Sequence, residues 1–210
     1  MDQPGFIFIG GRPALDFANT LGGKRGVRTD EHLTGYPQLL RWAAQAKLLG
    51  KGDAGRLARE AAQNPSKAQR AVGEAIALRE ALHGLFEAVA HGREPRAADL
   101  DTVNMLAAQA QAQRKLVRSG GRLVLRWDER PGDLLPFLRP LVLEAVGLLA
   151  SPDAERVRIC AECEEDRCDW VFLDESRGGK RRFCSMADCG NRAKQRRFYR
   201  RAQEAKAERR

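Results

Sequence analysis

The chain has 210 residues, and its 37 Lys and Arg against 28 Asp and Glu give a formal net charge of +9. With 43% hydrophobic and 31% charged residues, the composition is typical of a globular protein and excludes wholesale disorder. The most apolar run, residues 141–150, is well short of the roughly 20 residues that cross a bilayer, and the N-terminus has no signal-peptide pattern. We therefore expect a cytoplasmic protein with no membrane partner.

The basic excess lies at the C-terminal end. Residues 1–175 contain 24 basic and 25 acidic side chains, whereas residues 176–210 contain 13 and 3. At roughly 100–200 residues per domain, the length allows one full domain and a small appendage. Ser151-Pro152 marks the expected boundary, so we predict an α-rich domain over residues 1–152 and a small basic module over residues 153–210.

Apolar periodicity predicts mostly helices in the first domain. The predicted helices cover residues 14–20, 37–49, a short stretch after Asp53, 66–90, 97–117 and 136–149. Short strands are expected over residues 4–9, 122–127 and 156–159, with a loop over residues 22–26 and a break at Gly120-Gly121. The predicted fold class is α+β, mainly α: a helical N-terminal domain with a few short strands, followed by a small module with a C-terminal basic helix.

All five cysteines lie within one thirty-residue window, which favours a metal site over disulfides in a reducing compartment. The pairs Cys163-x4-Cys168 and Cys184-x4-Cys189 share one spacing, so these four are the favoured Zn²⁺ ligands. Cys160 is the alternative to Cys163, because Cys160-x2-Cys163 is the more familiar knuckle spacing and Cys160 follows a predicted strand. Between the pairs, residues 170–173 and 181–183 are predicted to form a hairpin, and a helix is expected from about residue 191.

These residues resemble the CGNR zinc-finger family of bacteria. The likeness covers residues 168–177 and 182–194, including the signature Cys189-Gly190-Asn191-Arg192. Residues 8–20, Trp42 and residues 78–81 are similar to the ABATE domain that precedes this finger in the family. The resemblance implies a stress-related transcription regulator with a treble-clef-like, DNA-binding zinc module. Cys160 is additional to the family pattern, which leaves the first ligand open.

The C-terminal segment is rich in Arg, Lys and Ala, without Gly or Pro after Gly190, and is predicted to form a basic helix. Arg192, Arg196 and Arg200 recur every four residues and form one stripe; Phe198, Ala202 and Ala205 share an apolar pattern that suggests packing. The predicted nucleic-acid contacts are Arg192, Lys194, Arg196, Arg197, Arg200 and Arg201. Duplex DNA is the favoured partner, RNA is the first alternative, and a protein-interaction or homodimerisation module is the second.

A second candidate site lies near the N-terminus. Asp16 and Asn19 are three residues apart on a predicted helix, and with nearby Arg12 they could line a pocket for a small-molecule or protein effector. The alternative interpretation is that Asp16 and Asn19 cap and fasten the N-terminal strand. No residue pattern combines a nucleophile with a base and an orienting acid, so we do not expect an enzyme.

Overall fold

The computed structural model describes residues 5–50, 52–128 and 131–207. Its helices are α1 (Pro13–Ala18), α2 (Tyr36–Gln45), α3 (Asp53–Gln63), α4 (Pro65–Ala90), α5 (Ala97–Ala112), α6 (Leu138–Leu149) and α7 (Asn191–Ala207). Its strands are β1 (Leu21–Lys24), β2 (Arg28–Glu31), β3 (Arg114–Ser119), β4 (Arg122–Trp127), β5 (Val157–Ile159) and β6 (Val171–Leu173). The mainly helical α+β class is confirmed. None of the described helices is both long and apolar enough to cross a membrane.

Helix α4 is the centre of the fold. Pro65 occupies its first turn, and the Asn64 side chain caps it by accepting a hydrogen bond from the Lys67 backbone N–H at 3.0 Å. Its apolar stripe, which includes Leu78, Leu82 and Phe86, is buried against the other helices of the first domain. This packing provides the core on which the remaining elements are placed.

The described strands form three separate antiparallel pairs, and all three differ from the predictions. Residues 22–26 were expected to form a loop, but residues 21–24 and 28–31 pair as β1 and β2. Helix α5 was expected to reach residue 117, but it ends at Ala112 because residues 114–119 pair with β4. The predicted break at Gly120-Gly121 is the two-residue turn of that hairpin, and both glycines have positive φ, as such turns require.

Two further strand predictions are wrong. Residues 5–9 form no strand, and Pro4 lies outside the described residues. Residues 181–183 do not return as a strand either, because β6 pairs with β5 instead, in the register Val157 to Leu173 and Ile159 to Val171. Arg209 and Arg210, expected at the end of the basic helix, also lie outside the described residues.

The β5–β6 pair joins the C-terminal module to the first domain. Val157, Val171 and Leu173 belong to the same buried cluster as the α4 core. Only the short 3-10 turn Pro152–Arg156 separates α6 from β5. Residues after the predicted boundary therefore complete the main hydrophobic core, and the boundary itself stays a prediction.

Candidate metal centre and basic helix

Four buried thiols meet at one point of the C-terminal module. Sγ atoms of Cys160, Cys168, Cys184 and Cys189 all lie within 4.8 Å of one another. Cys160 directly follows β5, Cys168 precedes β6, Cys184 follows the returning loop, and Cys189 lies in the turn that leads into α7. Phe172 is buried beside them, and Ile9, Trp170 and Phe183 pack against the cluster. The site is thus assembled from four chain segments on an apolar base.

The spacing of the sulfurs fits a tetrahedral zinc ion. The Cys184 Sγ lies 3.7 Å from Cys168 Sγ and 3.6 Å from Cys189 Sγ. Zinc–sulfur bonds of about 2.3 Å at tetrahedral angles place neighbouring sulfurs about 3.8 Å apart. Four thiolates, with no fifth donor among the residues that the structure describes, match a structural zinc site, in which the protein fills every coordination position. These residues can therefore hold a metal ion, and their chemistry favours zinc.

The structure corrects the choice of the first ligand, because Cys160 and not Cys163 joins the other three. The Cys160 backbone N–H donates to the Trp170 carbonyl at 2.9 Å and so extends the β5–β6 pairing, which keeps its side chain fully buried beside Phe172. A 3-10 turn over residues 161–163 then carries Cys163 away to a half-buried position. Equal spacing within the two pairs was therefore a misleading signal.

The environment of the cluster favours ionised sulfur at Cys189. Hydrogen bonds from the Cys160, Cys168 and Cys184 thiols hold the pKa of Cys189 well below its usual range. The Arg192 guanidinium adds to this effect from 3.4 Å, and the thiolate in turn raises the pKa of Arg192. Because a metal binds the thiolate form, this arrangement prepares Cys189 for coordination.

Helix α7 is anchored by its first turns only. A single π-helical turn, Met186–Gly190, contains Cys189 and leads directly into the helix, and the side chain of Ser185 caps this turn. Ala193 is the one α7 residue that is buried among those described, whereas Phe198, Tyr199 and Ala202 are exposed. The expected packing of Phe198 and Ala202 is therefore wrong, and the side chain of Ala205 lies outside what the structure describes.

The predicted arginine stripe faces acidic residues of the finger. Arg192 pairs with Asp188 at 2.9 Å, and Arg196 binds Glu162, which is 1% exposed. Arg196 and Arg200 also lie 3.9 Å from Glu165. These acidic residues stand between or beside the cysteines, a position that could have identified them as partners of the helix. Arg196 and Arg200 attach α7 to the Cys160–Cys168 loop, whereas Arg192 binds the turn that precedes the helix.

The other predicted cations of α7 point to solvent. Lys194, Arg197 and Arg201 are exposed and, within the described part of the chain, make no ion pair or hydrogen bond. Their spacing of three and four residues places them on one helix face. Phe198, 69% exposed, borders this face, whereas Tyr199, 65% exposed, lies on the far side of the helix. We call Lys194, Arg197 and Arg201 the outer basic face.

Comparison with known families agrees with this arrangement. A family model named ABATE, described as a putative stress-induced transcription regulator, matches residues 11–152. The chain belongs to the ABATE family. A second model, the CGNR zinc finger, matches residues 156–202. The resemblance noted from the sequence is thus confirmed, and no curated protein matches the chain significantly.

The ABATE segment and the CGNR finger are connected by a buried ion network that the sequence did not reveal. Asp169, next to Cys168 and 4% exposed, accepts from the Arg25 backbone N–H at 2.7 Å and pairs with its guanidinium at 3.0 Å. Arg25 also binds Glu80 at 2.7 Å, and the His83 Nε2 lies 2.8 Å from the Asp169 carbonyl oxygen. Burial lowers the pKa of His83. Opposite charges distant in sequence gave no local signal of this contact.

The predicted effector residues have structural partners. The Asp16 Oδ1 accepts hydrogen bonds from the backbone N–H groups of Ile9 and Gly10 at 2.9 and 2.7 Å. The Asn19 amide donates to the Val171 carbonyl and its oxygen accepts from the Val171 N–H. Arg12 pairs with Asp153 at 3.1 Å. Asp16 and Asn19 border one cavity, but Arg12 does not line it. The contacts of Asp16 and Asn19 support the alternative interpretation, in which they fasten the N-terminal segment and neighbouring elements together.

Proposed function

We propose that this ABATE-family protein is a transcription regulator that binds duplex DNA through the outer basic face of α7. The observation that carries the proposal is the division of the helix cations into two sets. Arg196 and Arg200 hold the helix against the finger and Arg192 binds the turn before it, which leaves the outer basic face for an external partner. A polyanion would relieve the repulsion among these cations and release counterions as it bound.

The dimensions of the helix suit a DNA groove. An α-helix of 17 residues is about 26 Å long, and a bare helix enters the major groove, which is about 12 Å wide. In this proposal, Zn²⁺ bound by Cys160, Cys168, Cys184 and Cys189 would hold the start of the helix. Arg197 and Arg201 would contact phosphates or guanine edges, for which the planar guanidinium is well suited.

In the proposed regulator, the ABATE segment would respond to an effector. This idea is supported by the direct contact between the ABATE segment and the finger, in which Asn19 and Arg25 bind residues that flank the metal cluster. A change in the ABATE segment would reach the finger through these contacts. The expectation that the chain is not an enzyme stays a prediction.

RNA is a second candidate partner because of Phe198 and Tyr199. Their rings lie 5.9 Å apart in an edge-to-face arrangement and are largely exposed next to Arg197 and Arg200. Exposed aromatic rings beside arginines can stack on unpaired bases, a common mode of single-stranded RNA binding. Duplex binding uses the same cations but does not require these rings.

Salt-dependent binding of zinc-loaded full-length protein to duplex DNA tests the proposal. With about three phosphates neutralised, one for each cation of the outer basic face, the plot of log K against log salt is expected to slope near −2.7. Replacing Lys194, Arg197 and Arg201 with Gln should weaken binding and reduce the magnitude of the slope by about 2.7, since each phosphate contact contributes about 0.9. The matched control replaces Lys47, Arg59 and Arg70, exposed cations of the first domain, with Gln.

The control keeps the same total charge as the test variant and should retain the original slope. Equal loss of binding in both variants would show a non-specific charge effect and contradict the proposed surface. Stronger binding to single-stranded RNA, together with a loss of that binding in Phe198→Ala, would instead favour the RNA alternative.

A further inference from the structure

A cavity of about 400 Å³ lies where the N-terminal segment, α1 and the start of α2 meet Trp170 of the finger. Phe6, Ile7 and Trp170 provide apolar walls. Its volume lies within the range of about 300–1,000 Å³ that is typical of small-molecule sites. The cavity is thus large enough for a compact organic ligand, and it touches both family segments.

Arg41 is the unusual residue of this cavity. Its guanidinium lies over the Phe6 ring at 5.3 Å, and its Nε is buried with no hydrogen-bond partner. It forms no ion pair with any residue that the structure describes. A buried donor on a charged group is unfavourable without an acceptor, and a guanidinium offers a fork that matches a carboxylate. A carboxylate could thus provide the acceptor that this guanidinium does not find among the described residues.

The remaining polar groups of the cavity agree with an anionic ligand. His32, Thr34 and Gln38 can all donate hydrogen bonds, and their side chains have no partner within residues 5–50, 52–128 and 131–207. The two acidic residues of the wall are already engaged. Glu31 accepts from both terminal nitrogens of Arg79, at 2.6 and 2.8 Å, and Asp16 accepts from two backbone N–H groups.

We propose that this cavity binds a small monocarboxylate with a flat apolar body. The carboxylate would pair with Arg41, and the body would pack between Phe6 and Trp170. A single arginine balances one negative charge, which favours a carboxylate over a phosphate dianion. This inference deepens the proposed function, on which it rests, by naming the class of effector that the ABATE segment would sense.

Trp170 provides the connection to the finger. Its ring Nε1 donates to the Leu21 carbonyl at 2.8 Å, and its own carbonyl accepts from the backbone N–H of Cys160 at 2.9 Å. A ligand packed on the Trp170 ring would hold the segment between Cys168 and β6 in place. Occupancy would therefore stabilise the metal-bearing loop against the first domain.

The test is calorimetric titration of the zinc-loaded full chain with benzoate, phenylacetate and 2-naphthoate, and with the three corresponding amides. At least one acid should bind at millimolar concentration or below, and its amide should bind at least about tenfold more weakly, because the amide cannot form the charge-assisted pair. This comparison uses the wild-type chain and so does not depend on how a variant folds.

Two variants locate the site. Arg41→Gln should weaken the acid at least about tenfold, whereas Arg59→Gln, on the exposed surface of α3, should leave its affinity unchanged. Zinc content checks that both variants are folded. The proposal is overturned if no acid binds, if an acid and its amide bind equally, or if Arg41→Gln leaves the affinity unchanged.

Duplex DNA titrations run in parallel separate this inference from the proposed function. If an acid binds and DNA does not, the cavity stands and the regulator proposal fails. If DNA binds with the expected salt slope and no acid binds, the regulator proposal stands and the cavity assignment fails.

Discussion

Asn19 is predicted to be a strong polar link between the ABATE segment and the CGNR finger. Its side chain, 3% exposed, donates to the Val171 carbonyl at 2.8 Å and accepts from the Val171 N–H at 2.9 Å. It thereby replaces a strand neighbour on the open side of β6. In Asn19→Ala, both backbone groups of Val171 remain buried without a partner. Since each such group costs about 1–3 kcal/mol, the free energy of unfolding should fall by about 2–6 kcal/mol.

Urea denaturation of the zinc-loaded full chain measures this effect. At an m-value of about 2–3 kcal/mol per molar urea, the expected loss moves the midpoint by roughly 0.7–3 M. Asn104→Ala is the matched control, because Asn104 is exposed on α5 and makes no side-chain hydrogen bond within the described part of the chain. This control should remain within about 0.5 kcal/mol of wild type. A loss below about 1 kcal/mol for Asn19→Ala would refute the reasoning.

Two further predictions concern the metal and a buried carboxyl. Purified protein should hold about one zinc per chain, by elemental analysis, and Cys160→Ser should lose it while Cys163→Ser keeps it; the reverse pattern would contradict the site. Burial raises the pKa of Asp16 from 3.8 to about 6 despite its two backbone hydrogen bonds. The folded chain therefore binds this proton more tightly than the unfolded chain does. This contribution to the free energy of unfolding is complete below pH 4 and should be lost as the pH rises through 6. Asp16→Asn should lack this decline, so at neutral pH its free energy of unfolding should exceed that of wild type by up to about 3 kcal/mol. Urea denaturation at a series of pH values measures the difference. Parallel stability profiles of wild type and variant against pH would contradict the prediction.

Periodicity identified the helices well because their apolar faces are decided locally. The apolar stripe of α4 predicts its extent closely. The end of α5 was missed because residues 112–117 contain good helix formers, while their strand structure depends on pairing with β4 across the Gly120-Gly121 turn. The strand predicted for residues 181–183 was wrong for a related reason. The partner of β6 is β5, which lies before the first cysteine.

The candidate metal centre could be predicted in outline from the sequence. The clustering of the cysteines pointed to a tetrathiolate, but the choice between Cys160 and Cys163 depends on the strand pairing that buries Cys160. The charge count located the basic helix correctly. It could not distinguish the arginines that bind Glu162 and Asp188 from the outer basic face, because that division depends on how the helix is rotated against the finger.

The contribution of Val157, Val171 and Leu173 to the main core has a consequence for how this protein would meet a partner. A helix on a tethered finger can search for its target while the rest of the chain moves independently. Here the strand that leads into the metal cluster is also a wall of the first domain, and the connection from α6 is a single short turn. The whole molecule must therefore approach as one body, so the shape and charge of the ABATE segment help to decide which surfaces α7 can reach.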